Sequence, residues 1–133
     1  MALCILRRTF RAWPPLLALL GTSCSGGAAP GATPTGLPTS AATITISATG
    51  ANPRSVTVSP GGRVTFVNND VREHQMYSDP HPEHTSCPEF DQVGFLTPGQ
   101  SRTTGNLNTA RTCNFHDHGN FENTSLRGSV VVR

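Results

Sequence analysis

The sequence contains no lysine, few aromatic residues and few charges. Its ten basic side chains are all arginine, aromatic residues make up 6% of the chain, and charged residues make up 14%. Residues 1–24 hold three of these ten arginines, which leaves seven against eight Asp and Glu, a formal charge of −1. Because no basic cluster interleaved with aromatics remains, the composition excludes nucleic acid as the predicted partner.

Long hydrophobic runs are also lacking, apart from one apolar stretch at residues 12–20. Pro14 and Pro15 interrupt this stretch, which disfavours a membrane-spanning helix. Arginines precede it and small residues lead from it to Cys24. This order is typical of an export signal, which we place at residues 1–24.

Two short motifs within the predicted signal bear on localisation. "RRTF" resembles a twin-arginine export motif, and "LGTSC" resembles a bacterial lipoprotein box in which Cys24 is lipidated. The alternative is ordinary cleavage near Ser23, which gives a soluble periplasmic product. The sequence therefore predicts an exported protein that lies in the periplasm or is a membrane-anchored lipoprotein, with a lipid as its only contact with the membrane.

Residues 25–42 are rich in Gly, Ala, Pro, Ser and Thr, and we predict a flexible linker there. The remaining residues, 43–133, are enough for one small domain. No window of ten or more residues in it has a persuasive helical period.

Short runs with period two dominate the predicted domain and indicate β-strands. Turn residues separate these runs at 59–62 (SPGG) and 97–100 (TPGQ). The pattern predicts an all-β fold, an antiparallel Greek-key β-sandwich or barrel. The residues expected to face its core are Ile44, Ile46, Val56, Val58, Val64, Phe66, Val130 and Val132.

Only two cysteines, Cys87 and Cys113, fall inside the predicted domain. An exported pair in an oxidising compartment is read by default as a disulfide. However, Cys113 begins the segment "CNFHDH", in which two histidines follow at ligand spacing. The residues alone leave both a disulfide and a metal-bound thiolate open.

The order of motifs resembles the cupredoxins, the blue-copper proteins. The resemblance covers about residues 52–133 and rests on "SPGGRVTFVNND", a histidine soon after it, "GFLTPGQS", Cys-x-x-His and a closing "GSVVV". It implies a copper cofactor held by His74, Cys113 and His116, with His118 as the alternative to His116. The implied function is electron transfer, without catalysis, by a monomer that serves redox partner proteins of the cell envelope.

The resemblance leaves the further donors open. At the axial position, where cupredoxins usually have methionine, this chain has Leu126. Met76 points the same way as His74 if the segment is extended. The loop "DPHPEHTSC" adds His81, His84 and Cys87 as candidate additional ligands, and the alternative for the two histidines is a solvated position on the surface.

Three alternatives to a blue-copper carrier stay open. The first is a copper carrier or sequestration protein that uses the surplus histidines, Met76 and both cysteines. The second is tetrahedral zinc bound by the two cysteines and two histidines. The third is a metal-free β-sandwich stabilised by a Cys87–Cys113 disulfide.

Overall fold

The computed structural model of this chain describes residues 38–133. The predicted export signal, the lipidation site at Cys24 and most of the predicted linker lie outside the described residues. The described part contains eight strands and three short 3₁₀ helices, and no helix in it is long and apolar enough to cross a bilayer. The strands are β1 (Thr39–Ser47), β2 (Gly50–Asn52), β3 (Ser55–Asn68), β4 (His74–Ser78), β5 (Gly94–Leu96), β6 (Ser101–Thr103), β7 (Arg111–Asp117) and β8 (Gly128–Val132). The 3₁₀ helices span Pro88–Gln92, His118–Asn120 and Thr124–Leu126.

The strands pair in the order β2-β1-β3-β8-β7-β4-β5, and β6 pairs with β3. Most pairs are antiparallel, as predicted, but β1 with β3 and β3 with β8 are parallel. The prediction of an all-β fold is confirmed. The parallel pairs could not be anticipated, because period two indicates which residues share a face and not the direction of the neighbouring strand.

The predicted turn at residues 59–62 is a bend inside β3 and not a connection between two strands. Gly61 lies there in the left-handed region, with φ of +84°. The half of β3 before the bend pairs with β8 and, at Val58, with the start of β1, and the half after it pairs with β1 and β6. Glycine and proline therefore fold the sheet over itself at this point.

The core lies between the two halves of the folded sheet. Phe66 of β3 contacts Phe115 of β7 edge to face, with ring centroids 5.1 Å apart, although these strands do not pair. All the residues predicted to face the core are buried except Val56, which is half-buried. Alternation along the strands thus places one apolar face inward on each side.

Two ends of predicted segments can be compared with the structure. The turn at 97–100 is confirmed, since the backbone N–H of Gln100 donates to the carbonyl of Thr97 over 2.9 Å. The first strand begins at Thr39, inside the segment predicted as linker. Its first residues are exposed and small, so composition could not distinguish them from linker.

Gly128 is expected to be irreplaceable at the start of β8. A Cβ atom there would overlap the carbonyl oxygen of Arg54 and lie 2.5 Å from Cζ of Phe115. Because backbone cannot give way as a flexible side chain can, Gly128→Ala is expected to lower the free energy of unfolding by about 1–3 kcal/mol. Urea denaturation measures this loss.

Gly119→Ala is the matched control for that measurement. A Cβ at Gly119 would meet nothing closer than Oδ1 of Asp117, at 3.9 Å. Its effect is expected to stay within about 0.5 kcal/mol. Equal losses in the two variants would contradict the assigned clash.

Candidate metal site

The direction of side chains along β7 decides which residues can share a site. β7 stays regular from Arg111 to Asp117, in register with β8 and then with β4. Cys113 and Phe115 belong to the core, and His116, three residues after Cys113, lies on the opposite face of the strand. The spacing that the resemblance assigned to one copper site is therefore divided between two faces of the sheet.

The structure joins Cys87 and Cys113 in a disulfide, with their Cα atoms 5.8 Å apart. Both residues are fully buried. This corrects the expectation of a copper thiolate at position 113, and with it any use of Cys87 as an additional ligand. The donor set of a blue-copper centre, or of the zinc alternative, does not fit these residues, because a disulfide sulfur is no thiolate.

His74, the expected first ligand, lies at the start of β4 between two buried carboxylates. Its Nδ1 is 2.8 Å from Oδ2 of Asp117, and its Nε2 is 3.3 Å from Oδ2 of Asp70. The side chain of Arg72, the N–H of Val71 and His74 hold the pKa of Asp70 at about 2. Both ring nitrogens of His74 thus face carboxylate oxygens, and His74 does not belong to the one donor group with metal-binding geometry among residues 38–133.

The two residues considered for the axial position belong to the core. Met76 is fully buried in β4, and Leu126 is 1% exposed at the end of a 3₁₀ helix. Both belong to the same apolar cluster as Phe66 and Phe115. They fill space there, as methionine and leucine usually do, and neither lies in a donor cluster.

The other four histidines converge on the outer face of β4 and β7. His116 lies near the end of β7, and His118 follows two residues later in a 3₁₀ helix. His81 and His84 come from the segment 79–87, which we call the histidine loop. Among residues 38–133, one group of side chains has the geometry to hold a metal ion: His81, His116 and His118, with ligand atoms within 4.8 Å of one another.

His116 is already arranged as a metal ligand would be. Its ring is 1% exposed, and its Nδ1 donates to Oδ1 of Asp79 over 2.7 Å. The Nε2 atom is buried and has no hydrogen-bond partner within the described residues. A carboxylate on one ring nitrogen fixes the tautomer that leaves a lone pair on the other, which is the usual support of a metal-bound histidine.

His118 is held by the fourth histidine of the group. Its Nδ1 is 3.0 Å from Nε2 of His84. Burial, and then the neighbouring rings of His118, His116 and His81, lower the pKa of His84. A neutral His84 can accept the Nδ1 proton of His118, and Nε2 of His118 then carries the lone pair that a metal requires.

Aromatic side chains fix the two histidines of the loop. His81 stacks on Phe121, with ring centroids 4.2 Å apart and planes 7° from parallel. His84 stacks on Tyr77 of β4, with centroids 4.4 Å apart. The loop is also closed on itself, because the N–H of Ser86 donates to the carbonyl of Asp79 over 2.9 Å. Because these contacts already hold the rings, each ring loses less conformational entropy when it binds a ligand.

The three imidazoles fit a transition-metal ion of the copper or zinc type. Imidazole nitrogens bind such ions at about 2.0–2.1 Å, so two ligands of one tetrahedral ion lie about 3.3 Å apart. The present spread of up to 4.8 Å requires the rings to close by up to about 1.5 Å. His81 and His118 are only half-buried, which leaves them room for this movement.

Sequence reasoning named His81 and His84 only as alternatives and did not identify the residues that support the site. Asp79, Tyr77 and Phe121 were missed. The signal that was present is His116-x-His118 at the end of a strand, since residues two apart lie on one face. No local pattern could reveal that Phe121 stacks on a loop 40 residues earlier in the chain.

Comparison with solved structures identifies the fold as cupredoxin-like. Auracyanin from the photosynthetic bacterium Roseiflexus castenholzii, in a dithionite-reduced crystal, matches with a TM-score of 0.53 and 19% identity over 72% of this chain and 98% of its own. Amicyanin from Paracoccus versutus matches with a TM-score of 0.54 and 20% identity, over 73% of this chain and 85% of its own. Oxidised plastocyanin from Dryopteris crassirhizoma matches with a TM-score of 0.53 and 19% identity, over 68% of this chain and 99% of its own.

These identities establish the fold and not the site. No protein-family model and no curated protein matches the chain. The resemblance derived from the sequence is confirmed at the level of the fold. The candidate metal site is therefore argued from the residues of this chain alone.

Proposed function

We propose that this chain is a copper-binding protein whose centre is formed by His81, His116 and His118, without a thiolate. The observation that carries the proposal is Nε2 of His116, which is buried and unpartnered while Asp79 holds the other ring nitrogen. Leaving such an acceptor unsatisfied costs free energy unless a ligand is bound. Copper bound there would supply a Lewis acid that can change valence.

Copper is preferred to zinc for two reasons. Affinities of nitrogen donors for divalent metals peak at copper and fall for zinc. In addition, an amicyanin variant with a similar fold was crystallised with Cu(I), at 17% identity and a TM-score of 0.53. Three neutral imidazoles accept both valences of copper.

The cellular role that follows is copper carriage or sequestration in the cell envelope. His81 and His118 are half-buried, so metal can be exchanged without unfolding of the domain. The export signal at 1–24 and the lipid at Cys24 are parts of this proposal, and they would place the protein in the periplasm or on a membrane. A monomer is sufficient, since one chain supplies all three ligands.

Electron transfer through the same centre is the second candidate function. It is favoured by the similar solved structures, which include a reduced auracyanin and an oxidised plastocyanin. The partners would be redox proteins of the cell envelope. Reversible voltammetry of the copper-loaded protein tests this role, and a centre that loses its copper on reduction would contradict it.

Addition of Cu(II) to the purified chain is expected to give one bound ion with weak visible absorption. The intense thiolate-to-copper band is expected to be absent, because both domain cysteines are consumed in the disulfide. Pulsed electron paramagnetic resonance should detect remote imidazole nitrogens on the bound copper. A thiol count in denaturant is the control, and it should find neither Cys87 nor Cys113 free.

Two results would contradict this proposal. An intense blue colour would mean that Cys113 binds copper as a thiolate and that it is not joined to Cys87 in a disulfide. Failure of Cu(II) to bind more tightly than it binds to a variant lacking His81, His116 and His118 would remove the metal site itself.

A further inference from the structure

The cavity beside the three imidazoles has no role in holding a metal. It has a volume of about 260 Å³ and is lined by Asp79, Pro80, His81, His116, Phe121 and Arg127. Two of the three proposed ligands, His81 and His116, therefore form part of its wall. It is smaller than the roughly 300–1,000 Å³ of sites for drug-sized ligands, so a ligand of a few atoms suits it.

A metal held by three protein ligands keeps at least one coordination position for an outside molecule. Because His81 and His116 both line this cavity, a metal bound to them would lie at its wall. Nδ1 of His116 is occupied by Asp79, so the metal would bind at Nε2. We place the open position of such a metal on the side that faces the cavity.

Arg127 supplies a fixed positive charge in the same cavity. Its guanidinium lies over the ring of Phe121, 5.2 Å from the centroid, and its Nε and Nη2 atoms donate to the carbonyl of Phe121. A guanidinium has five N–H donors, and these two bonds use two of them. Three donors remain for an acceptor, on a side chain that is anchored at both its π face and its edge.

The charges around the cavity favour an anion. Asp79 is the one carboxylate among the lining residues, and it already accepts the proton of His116. Its charge is balanced by that of Arg127, so the two charges of a Cu(II) ion would remain uncompensated. A small anion that binds the metal and accepts from Arg127 would reduce this excess.

We propose that the copper centre binds a small monovalent anion as an exogenous ligand, in the cavity between the metal and Arg127. The inference rests on the proposed copper site and adds a ligand class to it.

The experiment uses azide as the probe and the full chain loaded with one Cu(II). Copper content and the paramagnetic resonance spectrum are recorded first, and azide is then added while the azide-to-copper absorption band is followed. Arg127→Gln is expected to weaken azide binding about tenfold, because a charge-assisted hydrogen bond is lost. Arg127→Lys keeps the charge but loses the anchored guanidinium, and it is expected to recover only part of the affinity.

Arg63→Gln is the matched control. Arg63 also anchors a backbone carbonyl, its Nε donating to Thr104 over 2.9 Å, but it does not line the cavity and does not contact Arg127. This variant therefore loses a comparable structural contact and is expected to bind azide as the natural protein does. Circular dichroism verifies that each variant is folded.

The outcomes separate the two proposals. If copper binds and azide produces no spectral change, the anion site is wrong while the copper site stands. If azide binds equally to Arg127→Gln and the natural protein, Arg127 has no part in it and the inference is overturned. If no copper binds to the imidazoles, the proposed function fails first and the anion site falls with it.

Discussion

His116→Ala is expected to weaken copper binding by more than about 100-fold. Loss of a residue that only supports a ligand typically costs about 10–100-fold in metal affinity, and loss of a ligand itself should cost more. His116 is the most buried of the three imidazoles and the one whose free nitrogen has no other partner. Competition with a chelator of known copper affinity measures the change.

Two further variants show whether the loss belongs to this site. Asp79→Asn leaves His116 in place but removes the carboxylate at its Nδ1. Its copper affinity should therefore be about 10–100-fold lower than that of the natural protein. His74→Gln tests whether copper binds at the imidazole cluster or at the ligand set that the resemblance implied, because His74 belongs only to the second. Because His74 is hydrogen-bonded to Asp117 and Asp70, its replacement should leave copper affinity within about twofold of that of the natural protein.

The results of these variants have distinct consequences. If a folded His74→Gln protein lost as much affinity as His116→Ala, the metal would lie at the core face and the proposed cluster would be wrong. Stability is measured alongside, since replacement of a histidine between two buried carboxylates is destabilising. Affinity is therefore compared only among variants that are shown to be folded.

The fold could be predicted from the sequence because its signals are local and repeated. Ile44 and Ile46, or Val130 and Val132, reveal a buried face through spacing alone, and all four are in the core. The order of the motifs added the cupredoxin-like topology. In contrast, the bend at Gly61 was mistaken for a turn, because glycine and proline mark both.

The site was harder to predict because it depends on where β7 ends. Cys-x-x-His places both side chains in one site only if the strand breaks between them, and β7 continues to Asp117. Once it continues, Cys113 must face the core and His116 must face the histidine loop. Alternation along the seven residues of β7 places Cys113 and His116 on opposite faces of the strand. The Cys-x-x-His spacing of the family, in contrast, suggests that they share one site.

Cys87 and Cys113 together link the two segments that supply the proposed metal ligands. Cys87 ends the histidine loop, three residues after His84, and Cys113 lies in β7, three residues before His116. The disulfide closes a loop with a sequence separation of 26. Such closure restricts the unfolded chain and stabilises the fold by about 3.5 kcal/mol.

The double variant Cys87→Ala/Cys113→Ala is therefore expected to lose about 2–5 kcal/mol of unfolding free energy, the range typical for removal of a native disulfide from a small domain. Copper affinity should also fall, by about tenfold, because the histidine loop must then be ordered when the metal binds. Urea denaturation measures the first effect and chelator competition the second. Ile44→Ala is the control for affinity, since it removes a fully buried side chain from β1, which pairs with neither β4 nor β7.

Ile44→Ala should cost about 2–5 kcal/mol and leave copper affinity unchanged. If the cysteine variant and this control bound copper equally well, the disulfide would serve stability alone and would not position the ligands. If the cysteine variant were as stable as the natural protein, the stabilising role would be wrong as well. A loss of both stability and affinity, confined to the cysteine variant, would mean that this fold uses its cysteines to hold imidazoles together, where a blue-copper protein uses one as a ligand.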